Sequence, residues 1–227
     1  MSDVVLKAEG LARTLSGEVP VTLVQGIDLK ISRGEFVAIT GPSGSGKSSL
    51  LYLLGLPDKP TGGKLWLEDT EVSSLTEEQL ADLRLSHLGF VFQSNFLLPE
   101  FSARENVEIP IRRLGRSPDD EPRRRALSLL KDLGLEGQAE KLPHQMSGGQ
   151  SQRVAIARSL ANNPKIILAD EPTGNLDTVS SSIVRDILKK LAREEGRTVV
   201  VVTHDLGFAA ECDRRIHIVD GRISPQA

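Results

Sequence analysis

The chain of 227 residues predicts an α/β fold with a helical segment inserted into it, on three observations. A short apolar run, Phe36–Ile39, enters the glycine-rich loop Gly41–Ser48, and the Leu-rich stretch Lys47–Leu56 follows as a helix. Strand, glycine loop and helix in that order form a phosphate-binding unit. Strand signals return near the C-terminal end at Lys165–Ala169 and Thr198–Val202, separated by the helical stretch Thr178–Arg193. Between them, from about residue 101 to 160, the pattern is mainly helical.

Taken in order, Val21, Leu23, Ile27, Leu29 and Ile31 give residues 21–40 the alternation of strands. Lys64–Leu67 reads as a further strand. Thr76-Glu77-Glu78-Gln79 and Ser102-Ala103-Arg104-Glu105 are capping boxes that open helices. Phe90-Val91-Phe92 reads as a strand end. Arg123–Leu133 is helical and stops at Gly134, and Ser147 caps a helix running through Arg158 and ending near Pro164. Ile216–Ile223, broken at Asp220-Gly221, closes the chain as a hairpin. No internal repeat, low-complexity tract or long linker interrupts this order.

Composition narrows the classes. Hydrophobic content of 39% and charged content of 26% are those of a globular chain able to bury a core. A net charge of −3 supplies no basic face of the kind nucleic acid requires, so no nucleic-acid partner is expected. The single cysteine, Cys212, excludes an internal disulfide and a cysteine-based zinc site, which fits a reducing compartment. Met1–Gly10 has neither the basic start nor the apolar centre of a secretory signal. No apolar run approaches the roughly 18 residues of a membrane span. Membrane contact is therefore expected only through a partner.

Gly41-Pro42-Ser43-Gly44-Ser45-Gly46-Lys47-Ser48 fits the phosphate-cradling pattern, in which backbone N–H groups and a helix N-terminus face the phosphates. Lys47 would reach the outer phosphates and Ser48 would hold a magnesium ion. Asp170 ends an apolar strand, where a carboxylate sits close to such a metal. In an extended chain Glu171 points the other way, so Asp170 can serve the metal and Glu171 a water, as general base. By itself this pair would be two solvated acids; its setting beside the glycine loop is what lends it chemistry. Ser147-Gly148-Gly149 at a helix start is a second anion-binding nest, or an ordinary capped helix. Gln93 and His204, each just beyond a strand, can reach the metal or the attacking water and the outer phosphate; in isolation each is an ordinary polar residue. One nucleotide cannot easily use both glycine loops of one chain, which suggests a site shared between two copies.

Taken together these residues resemble the ATP-binding subunit of an ABC transporter over nearly the whole chain, from about Val4 to Ile223. The most specific segments are Ser147-Gly148-Gly149-Gln150-Ser151-Gln152-Arg153 and Asp170-Glu171-Pro172-Thr173-Gly174-Asn175-Leu176-Asp177. The resemblance implies a P-loop NTPase core with an antiparallel β subdomain and an inserted α-helical subdomain. Residues 1–227 then form one ATPase domain, with the α/β core at about 1–95 and 160–227 and the helical subdomain at about 96–159. It further implies ATP and Mg²⁺ as ligands. Gly41–Ser48 with the following Ser49 is the Walker A loop, Gln93 the Q-loop and Met146–Gln150 the signature, with Met in place of the usual Leu. Asp170 and Glu171 are the Walker B pair, Asp177 lies in the D-loop, and His204 is the switch histidine. Catalysis would fall to Glu171, His204, Gln93 and Lys47, and metal binding to Ser48, Gln93 and Asp170. Ser147, Gly148, Gly149, Gln150 and Asp177 would meet the nucleotide of a second copy in a homodimer. The expected further partners are integral-membrane permease subunits, at the cytoplasmic face of the inner membrane.

Within the family, Ala169–Asp177 is similar to the group holding the lipoprotein-releasing, macrolide-exporting and cell-division ATPases, and Leu97–Val107 most resembles the lipoprotein-releasing members. In the family the stretch after Gln93 meets the permease, although Phe96, Leu97 and Leu98 would serve equally as core. A cell-division ATPase that transmits force and moves no substrate shares every catalytic residue and remains an alternative. Soluble members acting in DNA repair or translation carry long coiled-coil insertions or two ATPase units, and this chain has neither. One departure stands out. The family usually carries an aromatic residue, often Tyr, that stacks on adenine, whereas the matching place here is about Leu15 and no aromatic precedes Phe36.

Overall fold

The computed structural model describes residues 3–115 and 120–224. Two sheets and a set of helices build it. The first sheet is antiparallel, with strands β1 (Val4–Leu15), β2 (Val21–Ser32), β4 (Gly62–Leu67) and β5 (Thr70–Glu71) in the order β2-β1-β4-β5. The second contains β3 (Phe36–Thr40), β6 (Leu88–Val91), β7 (Ile166–Asp170), β8 (Thr198–Val202), β9 (Arg214–Val219) and β10 (Arg222–Ser224), in the order β10-β9-β3-β8-β7-β6. Its pairs are parallel from β6 to β9, and only β9–β10 is an antiparallel hairpin, turning at Asp220-Gly221. β3, β7 and β8 are buried along their whole length, as expected of parallel strands covered on both faces.

Three apolar clusters organise the packing. One joins the antiparallel sheet and helix α1 (Lys47–Leu54) to one face of the parallel sheet, through Leu11, Ile27, Leu50, Leu54, Val200 and Ile218. A second lies on the opposite face, where Ile156, Val184, Leu188 and Phe208 cover Phe36, Val199 and Val201. The third belongs to the helical segment. There α3 (Ala103–Leu114), α4 (Glu121–Asp132) and α5 (Gly148–Ser159) bury Val107, Ile111, Ala126, Leu130 and Val154 together. α2 (Glu77–His87), α6 (Thr178–Arg193) and the short α7 (Leu206–Ala210) complete the helices. Among the described residues no helix is long and apolar enough to cross a membrane.

Local signals placed most elements well. Thr76, Ser102 and Ser147 each close a capping box at the helix they precede. Three expectations need correction, and one strand is additional. β1 is not anticipated, because its register shifts against β2 and β4 break the simple alternation that a flat strand would print. The helix expected to reach Leu56 ends at Leu54, since Gly55 caps it and Leu56 turns to φ 67. The helix expected to end near Pro164 stops at Ser159, where α5 closes on Leu160 and turns at Asn163, φ 55. The helix expected from Arg123 begins two residues earlier, at Glu121, with Pro122 in its first turn where a missing N–H costs nothing.

Candidate functional site

The C-terminal ends of β3 and β7 and the segment after β8 converge, and each delivers one part of the site. β3 leads into the loop Gly41–Gly46, and α1 starts at Lys47. The loop is a tight fit: a Cβ at Gly41 (φ 147) would lie 2.0 Å from the Ile218 carbonyl oxygen, and one at Gly46 (φ 95) 2.1 Å from that of Leu23. Only glycine allows so close an approach with these dihedrals. Lys47 folds back over the loop and its Nζ donates to the Pro42 carbonyl at 2.7 Å. Ser45 Oγ is buried and has no hydrogen-bond partner among the described residues.

Across the sheet, Asp170 closes β7 and is almost fully buried. Its carboxylate is held from both sides: Ser48 Oγ donates to Oδ1 at 2.8 Å and the Tyr52 hydroxyl to Oδ2 at 2.8 Å. Burial, then the hydrogen bond to Asp170 and its charge, push the Tyr52 phenol up to about 12. The expectation that Glu171 diverges from Asp170 through an extended chain is corrected. Glu171 has φ 44, and this left-handed turn re-aims its side chain. Its Oε2 lies 2.8 Å from His204 Nδ1 and accepts from the His204 backbone N–H at 3.4 Å. Thus Lys47, Ser48, Asp170, Glu171 and His204 all lie just beyond the C-terminal ends of the neighbouring central strands β3, β7 and β8.

Gln93 is placed differently. It lies two residues beyond the end of β6, and no hydrogen bond among the described residues joins it to Ser48 or Asp170. Its side-chain amide lies beside Gly174, where a Cβ would approach Nε2 to 2.9 Å, and its backbone carbonyl accepts from Asn175 Nδ2 at 3.5 Å. Gln93 therefore packs against the turn that follows Asp170 and Glu171. Of the run Phe96–Leu98, Leu97 is buried while Phe96 is 63% exposed and Leu98 is also exposed. This separates the core reading from the contact reading residue by residue.

The second glycine motif lies elsewhere. Ser147 caps α5 by accepting from the Gln150 N–H at 3.2 Å, and the Gln150 side chain accepts in return from the Ser147 N–H at 2.9 Å. Gly149 is buried against α6, and a Cβ there would sit 2.3 Å from Ser180 Oγ. Asp177 caps α6, and the Ser180 hydroxyl and backbone N–H hold its exposed carboxyl below the usual range. Ser147, Gly148, Gly149, Gln150 and Asp177 thus form one corner, with Ser147, Gly148 and Asp177 exposed on it. Among the described residues no hydrogen bond joins that corner to Gly41–Ser49.

Sequence reasoning missed three side chains that organise these parts. Tyr52 carries a readable signal, since it follows Ser48 by one helical turn and shares its face. Gln152 Nε2 donates to the Phe92 carbonyl at 3.0 Å, and Arg158 donates to the Phe96 and Asn95 carbonyls at 2.7 Å each. Both α5 side chains hold the segment after β6, and nothing in their local sequence announces it. That segment borders a groove of about 720 Å³ between α2, α3 and α5, lined by Arg84, Leu88, Phe90, Phe92, Phe96 and Ile109 among others.

The donors present suit a hard cation shared with a ligand. Among the described residues no cluster of three or more His, Cys, Asp or Glu is able to hold a metal by itself. The Ser48 hydroxyl and the Asp170 carboxylate offer two oxygens, and magnesium completes its shell from phosphate and water in sites of this kind.

Residues 24–174 match the ABC transporter family. Over 226 residues the chain is 49% identical to the lipoprotein-releasing system ATP-binding protein LolD 1 of Chlorobium chlorochromatii, covering 99% of this chain and 92% of that one. It is 48% identical over 223 residues to the macrolide export ATP-binding/permease protein MacB of Bartonella henselae, covering 98% of this chain but 34% of that longer protein. Among solved structures it superposes on the ATP-binding cassette MJ0796, in a dimeric post-hydrolysis state bound to ADP and Pi, with TM-score 0.91 and 44% identity. That match covers 98% of this chain and 97% of the other. MJ0796 comes from Methanocaldococcus jannaschii.

Proposed function

This chain belongs to the ABC transporter family and is an ATPase, and from that premise we propose that it powers a membrane permease as a homodimer with two shared ATP sites. The single observation that carries the proposal is the separation of the two glycine motifs. Gly41–Ser49, Asp170, Glu171 and His204 form one cluster, and Ser147–Gln150 with Asp177 form another, with no hydrogen bond between that second group and Gly41–Ser49 among the described residues. A head-to-tail pair sets the corner of one copy over the loop of the other, making two equal sites by one two-fold axis. The relative MJ0796 forms dimers.

In this reading the loop N–H groups and Lys47 bind the phosphates of ATP, with the partnerless Ser45 hydroxyl a further donor. Ser48 and Asp170 hold Mg²⁺, which neutralises phosphate charge when bound. Glu171 would accept a proton from the attacking water, or polarise it, as general base. His204 fixes the Glu171 carboxylate and donates toward that phosphate. Gln93 reports the state of the Asp170–Gly174 turn to whatever fills the groove beside Phe92 and Phe96. We assign that groove to the permease, which would place the chain peripherally on the cytoplasmic face of the inner membrane. The helical segment from about 96 to 159, with its own apolar cluster, is then the subdomain that swings as the pair closes. The LolD and MacB relatives favour lipoprotein release or macrolide export as the work done.

The shared site is tested with Ser147→Arg in a Glu171→Gln background. ATP binding should stay within about twofold, while the MgATP-dependent dimer disappears in a solution mass measurement. Loss of the Ser147 cap alone costs about 1 kcal/mol of stability, and Ser147→Asn retains a cap and should still dimerise. Dimers formed by the arginine variant would rule out the shared site. The adenine position yields a second expectation. Leu15 is 42% exposed at the end of β1 and offers no ring. Leu15→Tyr should tighten nucleotide binding on the order of tenfold, as one aromatic–base stack is worth about 1–3 kcal/mol. A titration with no gain would remove Leu15 from the adenine site.

A further inference from the structure

The Asp170 carboxylate has two oxygens, and helix α1 bonds each of them. Oδ1 meets Ser48; Oδ2 accepts from the Tyr52 hydroxyl at 2.8 Å. Ser48 and Tyr52 lie one turn apart on α1, so the same helix face presents two hydroxyls to the end of β7. Tyr52 is itself fixed. Its ring packs on Phe90 at 5.7 Å and on Phe92 at 6.4 Å between centroids, and those two rings stack on each other at 4.3 Å. A rigid aromatic wall thus sets where the hydroxyl sits, and the hydroxyl sets the rotation of the carboxylate. Because Asp170 is buried, deleting one donor leaves an oxygen that water cannot easily satisfy.

We propose that Tyr52 is a positioning residue for the magnesium site: by holding Oδ2 it turns Asp170 so that the carboxylate serves Ser48 and the metal rather than rotating freely. The inference rests on the assignment of Asp170 as a metal ligand in the proposed function. Partners that orient metal ligands in this way change metal affinity or activity by about 10–100-fold when removed.

Tyr52→Phe deletes the hydroxyl and keeps the ring against Phe90 and Phe92. It is compared with Asp170→Asn, both in the Glu171→Gln background with ATP and with Mn²⁺ as a paramagnetic probe. In Tyr52→Phe, half-saturation by Mn²⁺ should rise roughly tenfold or more. ATP affinity measured in EDTA should stay within about twofold. In otherwise wild-type protein the Mg²⁺ needed for half-maximal turnover should rise in parallel. Unchanged Mn²⁺ binding in Tyr52→Phe beside weakened binding in Asp170→Asn overturns the role of Tyr52 and leaves Asp170 as ligand. Unchanged binding in both variants overturns the metal assignment and this inference with it. Weakened ATP binding in EDTA in Tyr52→Phe would make the hydroxyl a support of the phosphate loop, and also overturns the inference.

Discussion

Glu171→Gln should lower ATP turnover by about 10²–10⁴-fold while leaving ATP binding intact, the range expected when a positioned general base is lost. The substitution is close to isosteric. Glu171 sits in a left-handed turn after β7, and that backbone, not the charge, aims the side chain. The amide carbonyl of the substituted side chain can still accept from the His204 N–H that Glu171 Oε2 accepts now at 3.4 Å, so His204 should stay in place. ATP bound but not cleaved should then hold the pair closed. Solution mass with and without MgATP should shift from monomer to dimer, and single-turnover hydrolysis should be slow. Wild-type turnover would remove Glu171 from catalysis. A persistent monomer with saturated nucleotide would mean that closure requires the permease.

Lys47→Ala should weaken ATP binding by about 10–100-fold, because a charge-assisted hydrogen bond to phosphate contributes about 1.5–3 kcal/mol. Lys47 now spends its ammonium on the Pro42 carbonyl, at the partly exposed mouth of the loop. No buried charge is orphaned when it goes, so the thermal midpoint should move by only a few degrees. The readout is a nucleotide titration paired with thermal unfolding. ATP affinity equal to the parent would show that the loop N–H groups alone bind the phosphates. A collapse in stability would show that the lysine maintains the loop itself.

The site was legible in the sequence where a residue's role follows from its neighbours in the chain. The glycines at 41 and 46 announce close backbone approach, and the loop geometry requires it at both positions. Ser102 and Ser147 announce helix starts three residues before their Glu and Gln partners. The strand-end acids at 170 and 171 could be placed, but not the turn between them. The left-handed dihedral at Glu171 is imposed by the Glu171 N–H bonding to the Val202 carbonyl and the Gly174 N–H returning to the Glu171 carbonyl. The turn bond has a local signature, Pro172 and Gly174 at its second and fourth positions, whereas the bond to Val202 joins separate strands and leaves no mark on local sequence.

What the sequence by itself determined is the α/β class, the helical insert and the tight glycine-rich loop between β3 and α1, because periodicity, caps and glycine spacing are short-range effects. Only the tertiary structure decided which groups meet. It set Tyr52 against Asp170, 118 positions away, and Gln152 and Arg158 against the segment after β6. It also turned Gln93 toward Gly174 and kept the two glycine motifs apart. These pairings depend on strand order in the parallel sheet, where β3 lies beside β8 and β9 and β7 lies between β6 and β8. Strand order is fixed by the burial of whole sheet faces, a long-range cooperative effect that no local window of residues contains.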